Sequence, residues 1–409
     1  MDRYVERMAD VLLADILAAA PAVIITGPRA SGKTTTALRH AASTVRLDNP
    51  VEAAAFEADP DAALRDREEP LLLDEWQACP PVVGAVKRAV DTQRRAGRFI
   101  LTGSARFDDD PALWPGTGRL IRVLMNPMTV REQLGRPLRP FFSEVLPDAD
   151  AGPLPDPPDL RGYVEIALRG GFPEPALELH GTAQREWLAS YVGQLLIRDR
   201  ATVNNGPDAG RLGEFFEAYA LSSAGLAHDT TLAEAAGIDS RTARSYVRLL
   251  SELGVVADVP AWGTNRLKRL VRMPKRFVAD TGLFGSTIGA DVEYVLSNGD
   301  VLGQLIETFV VSQLRAEAQF DPLRPRLCHL RDRDGRREVD LVADLGARGV
   351  VGVEIKAHSA PKPSHANHLA WMRDSLGDRF AGGALLHTGL DRFTLGDRIE
   401  AIPICALWN

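Results

Sequence analysis

A phosphate-loop motif between an apolar run and a helix-like segment is the feature that most constrains the fold of this chain. Residues 27–34, Gly-Pro-Arg-Ala-Ser-Gly-Lys-Thr, match the pattern G-x-x-x-x-G-K-[ST]. The apolar run 22–26 comes directly before them, and the helix-like segment 35–42 comes directly after. Gly27 and Gly32 let backbone N–H groups approach an anion, because neither residue carries a Cβ. The sequence therefore predicts a strand, a phosphate-binding loop and a helix in a domain that binds a nucleoside triphosphate.

A second, acidic motif predicts hydrolysis as well as binding. We expect Lys33 to contact the β and γ phosphates and the Thr34 hydroxyl to bind Mg²⁺, with the helix dipole favouring the anion. The run Leu71-Leu72-Leu73 leads into Asp74 and Glu75. Asp74 is expected to hold the water shell of Mg²⁺, and Glu75 to polarise the attacking water. Because binding alone needs only Asp74, the adjacent Glu75 predicts an ATPase.

A third apolar run, 99–102, ends at a site for a γ-phosphate sensor. Thr102 and Ser104 are both candidates, and the sequence leaves the choice open. Arg119, followed by Arg122, is the candidate to neutralise transition-state charge, in the same chain or across the subunit boundary of a homo-oligomer. The residues expected to contact ATP are Gly27, Pro28, Arg29, Ala30, Ser31, Gly32, Lys33, Thr34, Thr35, Asp74 and Ser104, and those expected to act in catalysis are Lys33, Glu75 and Arg119.

Composition limits the class of protein and its partners. The formal net charge of the 409 residues is −7, so any contact with DNA has to be local. Cys79, Cys328 and Cys405 stand far apart without a C-x-x-C pair, which indicates a reducing cytoplasm and neither a zinc site nor a disulfide scaffold. The apolar stretch 11–22 contains Asp15 and is too short for a membrane span. We expect a cytoplasmic protein that does not enter a membrane.

Apolar runs and turn residues divide the chain into four predicted regions. Short apolar runs alternate with helical stretches between residues 22 and 125, which predicts a parallel α/β sheet. Prolines then mark a linker at 146–160. The predicted regions are a P-loop ATPase domain of residues 1–145, a Pro-rich linker with a helical lid-like segment over 146–205, a winged-helix domain of 206–285 and an α/β nuclease-like domain of 286–409.

The winged helix is predicted from a helix-turn-helix layout at residues 230–254. A turn at 237–239 separates two helices, and Ser240 is the expected cap of the second. Basic residues lie on one stripe of that helix and on the following hairpin: Arg241, Arg244 and Arg248, then Arg266, Lys268, Arg269, Arg272, Lys275 and Arg276. This pattern fits double-stranded DNA, but winged helices also bind proteins, so both kinds of partner remain open.

A D…E-x-K pattern near the C-terminus predicts a second metal site. Glu354 and Lys356 are two apart on an expected strand and therefore share a face, and Asp340 lies on the strand before. Two carboxylates can hold Mg²⁺ while the lysine positions a water for phosphodiester hydrolysis. Glu307, on an expected helix, is a further candidate ligand. Alternating charges on an exposed strand are the other interpretation.

Together these motifs resemble a prokaryotic family of AAA-type P-loop ATPases whose C-terminal region is a domain of unknown function. The motifs that carry the resemblance are residues 27–34, Leu73-Asp74-Glu75, Leu101-Thr102-Gly103-Ser104, Gly170-Gly171-Phe172-Pro173, Pro274-Lys275-Arg276-Phe277, Asp280-Thr281-Gly282-Leu283, Glu338-Val339-Asp340 and Glu354-Ile355-Lys356. The resemblance implies ATP binding, a winged helix and a C-terminal domain similar to PD-(D/E)XK nucleases.

Three functions follow from these motifs and remain open at this point. The first is a Mg²⁺-dependent ATPase that couples its nucleotide state to a DNA-facing C-terminal half. The second is a nucleotide-operated switch or scaffold whose winged helix binds a protein. The third is an ATP-gated, metal-dependent nuclease that uses the D…E-x-K residues.

Overall fold

The computed structural model describes residues 4–104, 118–146, 154, 156–198, 209–263, 273–332 and 335–409. The predictions for Arg266, Lys268, Arg269 and Arg272, and for most of the Pro-rich linker, lie outside these residues. Two compact units make up the chain: Met1–Pro127 with Glu252–Gly254, and Met128–Ser251 with Val255–Asn409. Within the described residues, no helix is long and apolar enough to cross a membrane.

The first unit is an α/β domain built on a parallel sheet. Its strands are β1 (Ala22–Thr26), β2 (Ser43–Arg46), β3 (Leu71–Asp74), β4 (Phe99–Gly103) and β5 (Leu120–Leu124). Its helices are α1 (Met8–Ala19), α2 (Lys33–Leu38), α3 (Pro50–Ala58), α4 (Pro60–Ala63) and α5 (Pro81–Thr92), with a 3₁₀ turn at Trp76–Ala78. The strand order is β2-β3-β4-β1-β5 and all neighbours are parallel, which confirms the predicted α/β sheet.

The sheet of the first unit places the phosphate loop beside the acidic motif. Strands β1, β3 and β4 are buried at every position, as expected for a parallel sheet covered on both faces. Side chains such as Ile24, Leu73 and Leu101 share one core with α5 residues. Because the strands are parallel, the loop after β1 and the acids at the end of β3 emerge at the same edge.

The second unit begins with helices and ends with a mixed sheet. Its helices are α6 (Val130–Gln133), α7 (Phe141–Glu144), α8 (Leu160–Arg169), α9 (Pro173–Leu177), α10 (Gly181–Arg198), α11 (Ala209–Leu221), α12 (Asp229–Ala235), α13 (Ser240–Glu252), α14 (Thr281–Thr287), α15 (Val292–Ser297), α16 (Gly299–Ala318) and α17 (Asn367–Leu376). Its strands are β6 (Val256–Val259), β7 (Lys275–Val278), β8 (Arg326–Arg331), β9 (Glu338–Asp344), β10 (Val350–Lys356), β11 (Phe380–His387), β12 (Phe393–Gly396) and β13 (Ile399–Pro403). The 3₁₀ turns among its described residues lie at Gly346–Arg348, Pro363–Ala366, Gly377–Arg379 and Ile404–Trp408.

Helices α12 and α13 are followed by the antiparallel pair β6-β7. The cap of α13 is Asp239 and not the predicted Ser240, because Asp239 Oδ1 accepts hydrogen bonds from the N–H groups of Arg241 and Thr242 at 2.8 and 3.0 Å. A hydrogen bond from the Thr242 hydroxyl to Asp239 Oδ2 at 2.6 Å lowers the pKa of Asp239, and the two backbone bonds lower it further. The buried face of α13 consists of Ala243, Tyr246, Leu249 and Leu250.

The C-terminal sheet has the order β12-β13-β11-β10-β9-β8. Strands β8, β9 and β10 form an antiparallel meander, whereas β11 is parallel to β10 and follows it through α17. Apolar residues of the sheet, such as Val342 and Leu385, pack against Leu369 and Met372 of α17. This order places the acidic residues of β9 and β10 on adjacent strands.

Candidate functional site

The phosphate loop has a backbone that only glycine fits at its start. Gly27 has a φ of +150°, and a Cβ there would lie 2.1 Å from the carbonyl oxygen of Met125. Gly32 and Ala30 are also in the left-handed region, with φ of 93° and 56°. The loop therefore has the backbone conformations that the motif requires of its glycines.

Lys33 is buried at the base of this loop and contacts only neutral acceptors. Its Nζ donates to the carbonyl oxygens of Gly27 at 3.1 Å and Pro28 at 2.7 Å. Burial lowers the pKa of Lys33 to about 8, although the nearby charges of Glu75 and Asp74 act in the opposite direction. Among the ion pairs of the described residues, none involves Lys33. The position of its ammonium thus suits an incoming anion.

Asp74 accepts hydrogen bonds from the hydroxyl groups of two threonines. Its Oδ1 accepts from Thr34 Oγ1 at 2.7 Å and from Thr102 Oγ1. Thr102 also accepts from the backbone N–H of Glu75 at 3.3 Å. Of the two sensor candidates, the structure therefore joins Thr102 to both acids, and no hydrogen bond in the described part of the chain joins Ser104 to either.

Glu75 is held by a residue that sequence reasoning missed. Glu75 has a φ of 55°, and its Oε2 accepts a hydrogen bond from Gln77 Nε2. A Cβ on Gly103 would lie 2.3 Å from Gln77 Oε1, so the glycine makes room for this side chain. The spacing of two between Glu75 and Gln77 carries no signal in the sequence, because the contact depends on the 3₁₀ turn that begins at Trp76.

Arg119, the predicted arginine finger, pairs with a helix of its own unit. Its Nε donates to Asp91 Oδ1 at 2.5 Å, and both side chains are about 40% exposed. Asp91 lies near the end of α5. The role of Arg119 in catalysis therefore stays a prediction.

The residues of this first site fit ATP and Mg²⁺. A Cβ on Gly27 would clash with the backbone, the buried ammonium of Lys33 has no ion pair among the described residues, and Thr34 and Asp74 bring a hydroxyl and a carboxylate together at 2.7 Å. Oxygen ligands of these two kinds suit Mg²⁺.

The predicted second metal site contains an unexpected lysine. Glu307, Glu338, Asp340 and Glu354 form what we call the acid cluster. Lys275 Nζ lies among them, 2.5 Å from Glu307 Oε1, 3.3 Å from Glu338 Oε1 and 3.3 Å from Asp340 Oδ1. The acids are thus brought together as predicted, but around an ammonium.

Lys356 also pairs with the acid cluster, from its more exposed edge. Its Nζ lies 2.8 Å from Glu354 Oε2 and 3.7 Å from Asp340 Oδ2. A further contact fixes Asp340, whose Oδ2 accepts from the N–H of Ile355 at 2.9 Å. Lys356 therefore lies beside Glu354 and Asp340, as the sequence predicts.

Charge compensation inside the acid cluster is uneven. Burial raises the pKa of Glu307 and of Glu354 to about 8. Burial opposes ionisation of Asp340 too, but Lys275 and Lys356 hold its pKa below the ordinary value. Burial likewise opposes the charge on Lys275, and Asp340 and Glu307 nevertheless raise its pKa. In the part of the chain that the structure describes, no three His, Cys, Asp or Glu side chains are placed to hold a metal.

The residues predicted to contact DNA divide into two groups. Arg241, Arg244 and Arg248 are exposed on α13. Lys275 and Arg276, which the sequence placed on a basic wing, are 2% and 4% exposed. Arg276 pairs with Asp229 of α12, so these two residues contact acids of the chain itself and are not part of an exposed phosphate-binding surface.

Models of three domain families match the chain in sequence. They are an AAA domain over residues 19–134, a domain of unknown function (DUF8612) over 160–294 and a domain of unknown function (DUF4143) over 302–407. Two curated relatives are the uncharacterized proteins Mb2031c of Mycobacterium bovis and Rv2008c of Mycobacterium tuberculosis. Each is 30% identical over 390 residues, which cover 94% of this chain and 80% of the relative.

One solved structure that resembles the chain is the Walker-type ATPase PABY2304 of Pyrococcus abyssi. The two chains are 12% identical, and the TM-score is 0.41. The similarity covers 69% of this chain and 96% of the other.

Proposed function

The chain belongs to the family of these mycobacterial proteins and has an AAA ATPase domain, and on this premise we propose that it is a Mg²⁺-dependent ATPase whose nucleotide state controls a DNA-binding C-terminal half. The observation that carries the ATPase part is the hydrogen-bond network of Asp74 with Thr34 and Thr102, directly beside Glu75. It joins the phosphate loop to the acidic motif, as hydrolysis requires.

The chain's own residues have separate roles in this proposal. Lys33 Nζ exchanges the carbonyls of Gly27 and Pro28 for phosphate oxygens. Thr34 and Asp74 would hold Mg²⁺, which offsets negative charge on the phosphates when bound. Glu75 accepts the proton of the attacking water once its carboxylate is released by Gln77. Binding and hydrolysis therefore depend on different side chains.

Two substitutions in the full-length protein separate these roles. Lys33→Ala should abolish ATP binding measured by calorimetry, because it removes the only buried cation of the loop. Glu75→Gln should leave the affinity unchanged and stop phosphate release. Lys87→Ala, on α5 of the same unit, is the matched control and should bind and hydrolyse ATP normally. Tight ATP binding by the Lys33→Ala protein would refute the site.

The DNA-binding part of the proposal is supported by the exposed stripe on α13. Arg241, Arg244 and Arg248 project three positive charges from one helix. If each contacts a phosphate, the dependence of log Kd on log salt should fall by about 0.9 for each arginine replaced by glutamine. Fluorescence anisotropy with a labelled duplex measures this slope, and Arg185→Gln on α10 is the control.

The same titration distinguishes the switch or scaffold alternative. A surface that binds only protein has no duplex affinity even at low salt, whereas phosphate contacts give a steep loss of affinity with added salt. If the anisotropy of the labelled duplex does not change at any salt concentration, the ATPase proposal stands and its DNA-binding part is wrong.

A further inference from the structure

The acid cluster is built around a cation that the chain itself supplies. Lys275 is 2% exposed, and three carboxylates surround its ammonium at 2.5 to 3.3 Å. Glu354 completes the cluster and is 2% exposed. Its Oε2 contacts Lys356, and its Oε1 lies 3.7 Å from His368 Nδ1. The cluster thus already contains an ammonium where a metal ion would need its ligands.

The strand that carries Lys275 is fixed on both of its faces. Successive residues of a strand point to opposite sides, so Lys275 contacts the acid cluster while Arg276 turns away from it. On the far side, Arg276 pairs with Asp229 and donates from Nε to the carbonyl of Ala227 at 3.0 Å. The neighbouring Val278 N–H donates to Ser223 Oγ at 3.1 Å. These contacts hold β7 in the register that buries Lys275.

A second set of bonds ties the same hairpin to the C-terminal sheet. The N–H of Trp262 donates to the carbonyl of His329 at 2.6 Å, and the N–H of His329 donates to Pro260 at 2.9 Å. His329 Nε2 also lies 3.1 Å from the carbonyl oxygen of Met273, two residues before Lys275. These bonds hold the backbone just before Lys275 against β8, and this position places the Lys275 ammonium in the acid cluster.

We infer that Lys275 is the resident cation of the acid cluster, that it takes the place a divalent ion would need, and that the native protein binds no Mg²⁺ there. Mg²⁺ requires oxygen ligands at 2.0 to 2.1 Å in a near-octahedral arrangement. An ammonium that contacts Glu307 and Asp340 leaves no such space, and it would repel the ion. Asp340 consequently joins β7 to the sheet, and the D…E-x-K residues do not form a metal nuclease site.

The first test compares the wild-type protein with Glu354→Gln, both full-length and free of nucleotide. Electron paramagnetic resonance counts the Mn²⁺ ions bound by each protein. Equal numbers are expected, because any ion bound at Asp74 is common to both. Loss of one ion in the Glu354→Gln protein would overturn the inference, and so would Mn²⁺-dependent nicking of plasmid DNA that this variant abolishes.

The second test removes the ammonium. Lys275→Met should gain one Mn²⁺ per chain, because the acids then lose the ammonium that fills the metal position. Adding Glu354→Gln should abolish the gain. Lys356→Met is the matched control: it removes the same charge from the exposed edge, keeps Lys275, and should gain no ion.

The outcome of the second test is decisive when the variant is folded, as judged by near-ultraviolet circular dichroism. A folded Lys275→Met protein that gains no ion would overturn the assignment of the cation position. If the substitution prevents folding, the comparison of wild type with Glu354→Gln still decides, since it needs no change at Lys275.

Discussion

The two units each bury a lysine beside carboxylates, and the two lysines differ in what they contact. Lys33 donates to the carbonyls of Gly27 and Pro28, and burial lowers its pKa to about 8. Lys275 contacts three carboxylates, which raise its pKa against the effect of burial. A buried cation that faces only dipoles favours an anionic ligand, whereas one that faces carboxylates is already compensated. The first position suits a triphosphate and the second excludes a metal.

A motif therefore specifies residues but not the charge balance around them. Both regions match short patterns that combine a lysine with acids, and both assemble the residues that the patterns name. The two regions differ in the partner of the lysine. Where the partners are neutral, an anionic ligand can compensate the ammonium; where the partners are carboxylates, the ammonium is already compensated and a metal ion would add excess positive charge.

The largest effect is expected on removing the compensated lysine. Lys275→Met should lower the free energy of unfolding by about 3–5 kcal/mol, because it leaves buried carboxylates without their counter-charge. Urea denaturation measures the loss, and Lys275→Met combined with Glu307→Gln should recover part of it. A loss below about 1 kcal/mol would mean that the carboxylates do not depend on Lys275 for their counter-charge.

The pH dependence of Asp280 tests the same rule for an anion. Asp280 is buried and, among the described residues, accepts backbone hydrogen bonds that include those from the N–H of Gly171 at 2.7 Å and of Leu283 at 3.1 Å. Burial raises its pKa from 3.8 to about 6 in spite of these bonds. Its stabilising contribution is therefore complete below pH 3.8 and is lost as the pH rises to about 6.

The measurement uses Asp280→Asn, because asparagine stays neutral at every pH. The advantage of wild type over this variant in free energy of unfolding should shrink by up to about 3 kcal/mol between pH 4 and pH 7. Urea titrations at several pH values measure the difference. If the difference in free energy of unfolding between the two proteins does not change with pH, burial does not raise the pKa of Asp280.

A smaller effect is expected for the hydroxyl that connects the two acids of the first site. Thr102→Val keeps the shape of the side chain but removes the donor to Asp74 and the acceptor for Glu75 N–H, a loss of about 1–3 kcal/mol. ATP turnover should fall about tenfold, with a smaller change in affinity. Ser104→Ala is the paired variant in a phosphate-release assay, and a larger loss there would identify Ser104 as the sensor.

The smallest effect is expected on removing the uncompensated lysine. Lys33→Met in the absence of nucleotide should change the free energy of unfolding by about 1 kcal/mol or less at pH 7, since it also relieves the cost of burying an ammonium among dipoles. Urea denaturation of this variant beside Lys275→Met gives the direct contrast. Equal losses in the two proteins would mean that both lysines are structural.

Much of the first site could be predicted because its parts are local. The bounds of β1 are those of the predicted run 22–26, and the loop backbone has the left-handed glycines that its motif requires. Helix α2 ends at Leu38, earlier than predicted. Thr102 could not be chosen over Ser104, because its contact with Asp74 spans 28 residues and depends on the order of β3 and β4.

The second site shows where sequence reasoning stops. Asp340, Glu354 and Lys356 meet as predicted, because β9 and β10 are adjacent antiparallel strands. Lys275 lies 65 residues before Asp340 and was assigned to an exposed wing. The sequence shows that Lys275 and Arg276 point to opposite sides of a strand, but it does not show which acids lie on each side.

The strand, glycine loop and short helix of the phosphate loop could be read from the amino-acid order alone, because the steric freedom and hydrogen-bonding groups needed there belong to consecutive residues. Which cation neutralises the C-terminal acids could be learned from the folded structure alone. That balance depends on which distant side chains share one buried space, where removal from water makes every unpaired charge costly.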